Sequence, residues 1–335
     1  MLKQTASGHI GRRALLAGSL ATLAAPSLAS GLIAQPRRFT DRPIRVIVPF
    51  AAGGGVDVYA RMIADKLRQT HGYTIVIDNR AGANGSLGGS AVRTATPDGH
   101  TLLFSAATHV MARQVMRNAP YDPLGDFAPI ARVGAAPMML VMAPRLGPTT
   151  VAELIAEARK APDKWSFGTA ALGAPGHLAT IAFNLAAGLD LMVVTYRGTA
   201  PALNDVAGGH VQLMIDPVLA LLPMASANGV RGLAVTTAAR TKLAPAYPTL
   251  AESGLAGFDH SSWYGLWGPQ AMPGDAVAEL NAAFNAAVRD LEGEGKLAPL
   301  GIEAVVETPD AFRGFMERYV GENAALLRAA RFEPV

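Results

Sequence analysis

The amino-acid sequence predicts an α/β protein built as two lobes. Three observations point there: β-branched runs alternate with helical runs, the alternation occurs in two separate series, and each series fills about a hundred residues, an ordinary domain size. In the first series residues 44–50 (IRVIVPF) lead to a helical run at 58–67 (VYARMIADKL), residues 73–79 (YTIVIDN) lead to 86–95 (SLGGSAVRTA), and 101–106 (TLLFSA) form a third strand. Right-handed crossovers between such strands make a sheet parallel. Gly72 stands where the first helix needs a C-terminal stop, and Thr96-Pro97-Asp98-Gly99 makes a turn before the third strand.

The second series repeats the plan. Residues 164–170 (KWSFGTA) pass through a loop to 177–188 (HLATIAFNLAAG), 191–196 (LMVVTY) to 199–209 (TAPALNDVAGG), and 210–216 (HVQLMID) to 218–229 (VLALLPMASANG), with 230–237 (VRGLAVTT) as the last strand. Gly188, Gly208 and Gly229 occupy helix ends. Two segments between the series, 130–144 (IARVGAAPMMLVMAP) and 261–269 (SSWYGLWGP), are the expected crossovers. The tail has helical spacing at 276–291 and 311–330 and is expected to pack back onto the first lobe. Lobe 1 is therefore expected over residues 41–143 and 258–335, and lobe 2 over 144–257.

The first 34 residues follow another plan. A basic start with Lys3, Arg12 and Arg13 precedes an uncharged run of small and apolar residues, which is the layout of a secretory signal. A membrane span needs about twenty apolar residues, but Gly18, Ser19, Thr22, Pro26, Ser27, Ser30 and Gly31 dilute this run. Small residues before Ala29 and Ala34 suit a peptidase, so export to the periplasm with cleavage near residues 29–34 is expected. The Arg12-Arg13 pair is similar to a twin-arginine export signal, although Gly11 replaces the usual hydroxyl residue and no Phe follows the pair.

Removing the signal changes the charge balance. It holds three of the 29 basic residues and none of the 26 acidic ones, which leaves 26 against 26. A chain near neutrality has no whole-molecule attraction to a phosphate backbone, so nucleic acid is not an expected partner. With no cysteine, disulfides, thiolate nucleophiles and cysteine-based metal or iron–sulfur sites are excluded. The seven histidines show no i, i+4 pair and no nearby carboxylate cluster, so neither a metal nor any other cofactor is expected.

The glycine loops do not match three familiar kinds of chemistry. A dinucleotide fingerprint starting at Gly53 and Gly55 needs a glycine where Val58 stands, and a Walker loop needs Gly-Lys-Ser/Thr where Gly55 is followed by Val56 and Asp57. RAGANGSLGGS approaches a nucleophile elbow at Ser86, but Asn84 replaces its first glycine. What remains is physical: a helix start exposes unpaired N–H groups of partial positive charge, and glycines let a ligand approach them. The chain offers this device twice, at residues 50–57 and 166–178, so two anion cradles across an interlobe cleft would suit a carboxylate ligand.

Seven stretches occur in an order that resembles the periplasmic substrate-binding receptors of tripartite tricarboxylate transporters, the Bug proteins. They are RPIRVIVPFAAGGGVDVYAR, VIDNRAGANGSLGG with ATPDGHTLLF, YDPLGDFAPIARV, FGTAALGAPGHLA, VTYRGTAPALNDVAGGHVQLMID, RGLAVTTAAR with PTLAESGL, and SSWYGLWGP. The resemblance covers nearly the whole mature chain. It implies a two-lobed periplasmic binding protein of the Venus-flytrap kind, not an enzyme, which captures a small carboxylate and delivers it to a two-component membrane permease. A monomer is expected.

The resemblance also implies ligand-binding positions. Phe50, Gly53, Gly54, Gly55 and Asp57 would line the first cradle, and Thr169, Gly173, Gly176 and His177 the second, with Ser105, Arg197 and Asp216 completing the wall. Val56 departs from the family, which often has a hydroxyl residue before the Asp. Each position also has a plainer reading. Asp57 suits a helix cap, and a carboxylate there competes with an anionic ligand for the same N–H groups. His177 suits a helix start, Arg197 a solvated or lobe-bridging charge, and Asp216 a turn before Pro217. Trp263, Tyr264 and Trp267 are expected in the core rather than on a ligand wall. Two other functions stay open: an exported α/β hydrolase using Ser86 or Ser105, and a periplasmic sensor serving a signalling partner.

Overall fold

The computed structural model describes residues 38–335, and the export signal with its cut sites lies outside them. The chain starts with β1 (Ile44–Val48), α1 (Gly55–His71), β2 (Ile75–Asn79), α2 (Ser86–Arg93), β3 (Thr101–Ala106) and the single turn α3 (Ala112–Val115). The long strand β4 (Phe127–Met142) follows, then α4 (Val151–Lys160), β5 (Ser166–Thr169), α5 (Pro175–Ala187), β6 (Met192–Thr195), α6 (Thr199–Gly208), β7 (Leu213–Pro217), α7 (Val218–Ser226) and β8 (Arg231–Val235). The chain ends with β9 (Ser261–Pro269), α8 (Gly274–Gly293), the two-residue β10 (Glu303–Ala304) and α9 (Pro309–Ala329).

Parallel pairing is confined to the two βαβ regions. β1 lies between β2 and β3, and β5 between β6 and β7, all parallel, as the alternating sequence predicts. Four of the five β1 residues are buried, the pattern of a strand covered on both faces. The crossover segments are themselves strands. β9 runs antiparallel between β3 and β4, and β4 continues antiparallel to β7 and β8, so the ladder runs unbroken as β2-β1-β3-β9-β4-β7-β5-β6. The expectation of parallel pairing thus holds for β1–β3 and for β5–β7, and fails for β8, the last strand of the second series, and for the two crossover strands, all of which pair antiparallel.

β4 changes partners at one point. Residues up to Pro137 pair with β9, and Met138 begins the pairing with β7. Proline has no N–H to give to a ladder, so it fits where the strand leaves one partner for the next.

Helix ends follow local chemistry. Gly72 and Gly188 cap α1 and α5 in the left-handed conformation. Gly209, not Gly208, caps α6, and Gly229 lies three residues beyond the end of α7. Helix α4 is absent from the sequence reading, yet its signal is present: Thr150 and Glu153 form a reciprocal capping box before an apolar-periodic run.

The tail is more than a cover for the first lobe. α8 packs with α1 and β1 in one core, through Leu280, Phe284, Tyr59 and Ile63. α9 puts Phe312 and Met316 into another core, shared by Trp263 and Trp267 of β9, Leu103 of β3 and Leu178 and Ile181 of α5. That core spans both βαβ regions. Trp267 is fully buried, stacks against His109 and Phe312, and donates its indole N–H to the Met316 sulfur at 3.2 Å. Trp267→Ala is expected to cost about 3–5 kcal/mol, read as a lower urea midpoint.

Candidate functional site

Ligands of open α/β sheets bind beyond the carboxyl ends of the strands. Here β1 feeds α1 and β5 feeds α5 through glycine-rich loops. Neither helix has a side-chain cap: Gly54 precedes α1 and Ala174 precedes α5. Their first-turn N–H groups are therefore left to an outside partner.

The two loops are closed by the same device. Gly53 has φ +81° and donates its N–H to the Asp57 carboxylate at 2.8 Å. Gly173 has φ +70° and donates its N–H to His177 Nδ1 at 3.1 Å. In each case the third residue of the helix reaches back four positions to a glycine in the left-handed region, which pins the loop ahead of the helix.

The electrostatics of the two loops differ. Burial alone would raise the Asp57 carboxyl, but Arg61, the Gly53 N–H and Asn79 donate to it and together hold it below the usual carboxylate range. Asn79 also donates to the Phe50 carbonyl, tying β2 to the first loop. Burial pushes His177 down to about 4, so it is a neutral acceptor, with its ring packed edge-on against Phe332. The α1 end thus carries its own carboxylate, whereas the α5 end carries none on its helix.

Both helix starts meet a third group of residues. A Cβ at Gly176 would lie 2.2 Å from the Ile215 carbonyl and 2.9 Å from Asp216 Oδ1, so only glycine lets α5 approach the end of β7 this closely. Asp216 is buried and accepts a short hydrogen bond from the Thr199 hydroxyl at the start of α6. Burial raises its carboxyl to about 7, and the Thr199 hydrogen bond only partly opposes this. Across from it, burial and the Asp216 carboxylate both raise the phenol of Tyr264. A Cβ at Gly55 would lie 4.0 Å from the Tyr264 hydroxyl and 3.7 Å from Leu219 of α7. Tyr264 therefore links the start of α1 to Asp216.

Other contacts also tie the two loops together. Asn84, held at φ +54°, donates from Nδ2 to the Leu172 carbonyl at 2.8 Å, so the loop after β2 touches the loop after β5. A Cβ at Gly173 would lie 3.0 Å from Met111 Cβ.

The remaining sequence-predicted positions divide. Ser105 and Thr169, at the carboxyl ends of β3 and β5, are buried with hydroxyls that have no hydrogen-bond partner. Arg197 is exposed and makes no ion pair or hydrogen bond among the described residues. Ser86 donates its hydroxyl to the Ala83 carbonyl at 2.7 Å, a helix-start contact. Trp263, Tyr264 and Trp267 are all buried. Sequence reasoning missed Thr199, Asn84 and Asn79 as members of this cluster. Thr199 had a legible signal, because it follows Gly198 at a strand-to-helix junction.

Comparison with known proteins shows what this architecture is. Residues 59–330 match the model of the tripartite tricarboxylate transporter family receptor. The chain belongs to that receptor family. Among its relatives, a UPF0065 protein from Pseudomonas sp. (strain P51) is 37% identical over 93% of each chain, and protein BugT of Bordetella pertussis is 35% identical over 87% of this chain and 90% of its own. The periplasmic binding protein BugD has a solved structure of TM-score 0.82 at 34% identity, covering 88% of this chain and 99% of its own. An R. palustris protein with adipate gives a TM-score of 0.84 at 34% identity, over the same shares of each chain. Tripartite tricarboxylate receptors are periplasmic binding proteins rather than enzymes, and the fold here is theirs. No helix among the described residues is long and apolar enough to cross a membrane.

The raised carboxyl of Asp216 gives stability a definite pH dependence. Its folded value, about 7, lies above its ordinary value of 3.8, so the stability it contributes is complete below about pH 4 and is lost as pH rises through 7. Asp216→Asn, which cannot ionise, is expected to gain in Tm relative to wild type from pH 4 to pH 8 and then hold a constant difference. A difference that stays flat across that range would contradict the burial of this charge.

Proposed function

We propose that this receptor captures a small carboxylate between the first turns of α1 and α5 and hands it to a two-component membrane permease from the periplasm. The convergence of those two uncapped helix starts on Tyr264 and Asp216 supports this reading. N–H groups at a helix start hold anions without arginine or lysine. Gly53, Gly54 and Gly55 would offer backbone on one side, with Phe50 beside them, and Gly173 and Gly176 would do so on the other. Ser105 and Thr169 would lend their free hydroxyls. Asp57 and His177 would act by shaping the loops, since each already binds its own glycine N–H. Arg197 stands free to swing toward a ligand carboxylate.

The bodies that move would be those read from the sequence, residues 41–143 with 258–335 and residues 144–257, hinging where β4 and β9 cross. A ligand held by both helix starts gains its full set of hydrogen bonds only when the lobes are together, so binding favours closure. Relatives carry dicarboxylates in their solved structures: adipate in one R. palustris protein, and malate in MatC of Rhodopseudomonas palustris, which is 29% identical with a TM-score of 0.79.

A thermal-shift screen of mature protein against di- and tricarboxylates, amino acids and aromatic acids tests this reading. A bound acid at a hundred times its Kd is expected to add about 2.7 kcal/mol of stability. No shift with any carboxylate, in protein shown by mass spectrometry to carry no co-purified acid, would refute it. Gly54 has φ −73°, so a side chain fits its backbone. Gly54→Leu is accordingly expected to keep the wild-type Tm without ligand while weakening carboxylate binding at least tenfold. Unchanged affinity in titration calorimetry would remove α1 from the site.

A further inference from the structure

We propose that Asp216, in its neutral protonated form, donates a hydrogen bond to a ligand carboxylate oxygen, so that capture of a carboxylate by the ionised receptor takes up one proton. This rests on the carboxylate reading above and assigns a specificity residue within that site.

The geometry supports it in three ways. Asp216 is 4% exposed, and among the described residues the Thr199 hydroxyl is the one group that donates to it. No lysine, arginine or histidine forms an ion pair with it among the described residues, whereas a buried carboxylate ordinarily needs such a partner. Its Oδ1 lies against the start of α5, as the 2.9 Å approach to a Cβ at Gly176 shows. Two negative charges, its own and a ligand's, would compete for that one helix start. Protonation removes the repulsion and supplies a donor in its place.

The surrounding groups leave the proton on Asp216. β9 contributes Tyr264, whose phenol is raised by burial and by Asp216 and stays neutral. α5 contributes His177, which is neutral above about pH 4 and whose Nδ1 accepts from Gly173. α6 contributes Thr199, β4 lays Met139 opposite, and Pro217 and Val218 follow on α7's side. Arg197 lies two residues before Thr199 and is exposed. Burial sets the carboxyl near 7, so ionised and neutral forms coexist in the physiological range.

In balance, no covalent bond to the ligand forms: the O–H bond of the Asp216 acid stays intact and donates a hydrogen bond to the ligand oxygen, and where the free receptor is ionised that proton is taken from solvent on binding. Only the neutral fraction is competent, so the apparent Kd for adipate is expected to rise about tenfold per pH unit above about pH 7. Adipate is itself fully ionised there, so the slope belongs to the protein.

Titration calorimetry with adipate and malate between about pH 7 and pH 9, in phosphate and in Tris, measures both affinity and proton exchange. The expected result is uptake approaching one proton per dicarboxylate at pH 8, with uptake and pH slope both lost in Asp216→Asn. Affinity that is flat with pH, or proton uptake that persists in Asp216→Asn, overturns the proposal and leaves the carboxylate receptor standing. Affinity that increases with pH also overturns it and points to an ionised Asp216 holding a cationic group. A carbon-13 titration of the Asp216 carboxyl in ligand-free protein, assigned by its loss in Asp216→Asn, is independent of any ligand. A midpoint near 7 supports the proposal, and one near 4 overturns it whether or not adipate binds.

Discussion

Residues 127–142 hydrogen-bond to β9 as far as Pro137 and to β7 from Met138 onward, so one extended backbone belongs to both sheets. Everything at the site depends on that shared strand. It sets β7 beside its second half and β9 beside its first, which brings Asp216 at the end of β7 within electrostatic reach of Tyr264 on β9. Strand pairing is rigid along the ladder and bends where a residue cannot donate. Pro137 stands where that strand passes from one partner to the next.

The site itself is held by backbone more than by side chains. Two loops leave parallel strands, each is pinned by a bond from a left-handed glycine to the third residue of the following helix, and each leaves the helix start open. The choice of acceptor matters. An ionised Asp57 lowers the positive character of the α1 start, while a neutral His177 pins its loop without doing so. The α5 start keeps more of its positive character for that reason, and the buried Asp216 carboxyl borders it.

Packing then limits how far the lobes can separate independently. Leu178 and Ile181 of α5 share a core with Trp263, Trp267 and α9. The loop after β2 reaches the loop after β5 through Asn84. Any separation of the two βαβ regions must break or slide these contacts.

The sequence by itself determined the elements and their class. Periodicity located every strand of both βαβ series, because short apolar runs bounded by glycine and turn residues leave a local pattern even in the part-exposed edge strands β2 and β6, and Gly72 and Gly188 marked helix ends because they close them in the left-handed conformation. The two glycine loops were legible as strand-to-helix junctions for the same local reason. Helix α4 was written in the Thr150–Glu153 box and went unread. Other features depended on distant neighbours. That the crossovers are antiparallel strands follows from pairing partners at least seventy residues apart in the chain. That Asp216 is buried beside Tyr264 and Thr199, with its carboxyl raised, follows from the convergence of three elements. Local pattern encodes backbone conformation, whereas burial and charge are properties of what folding brings together, and only the tertiary structure decided them.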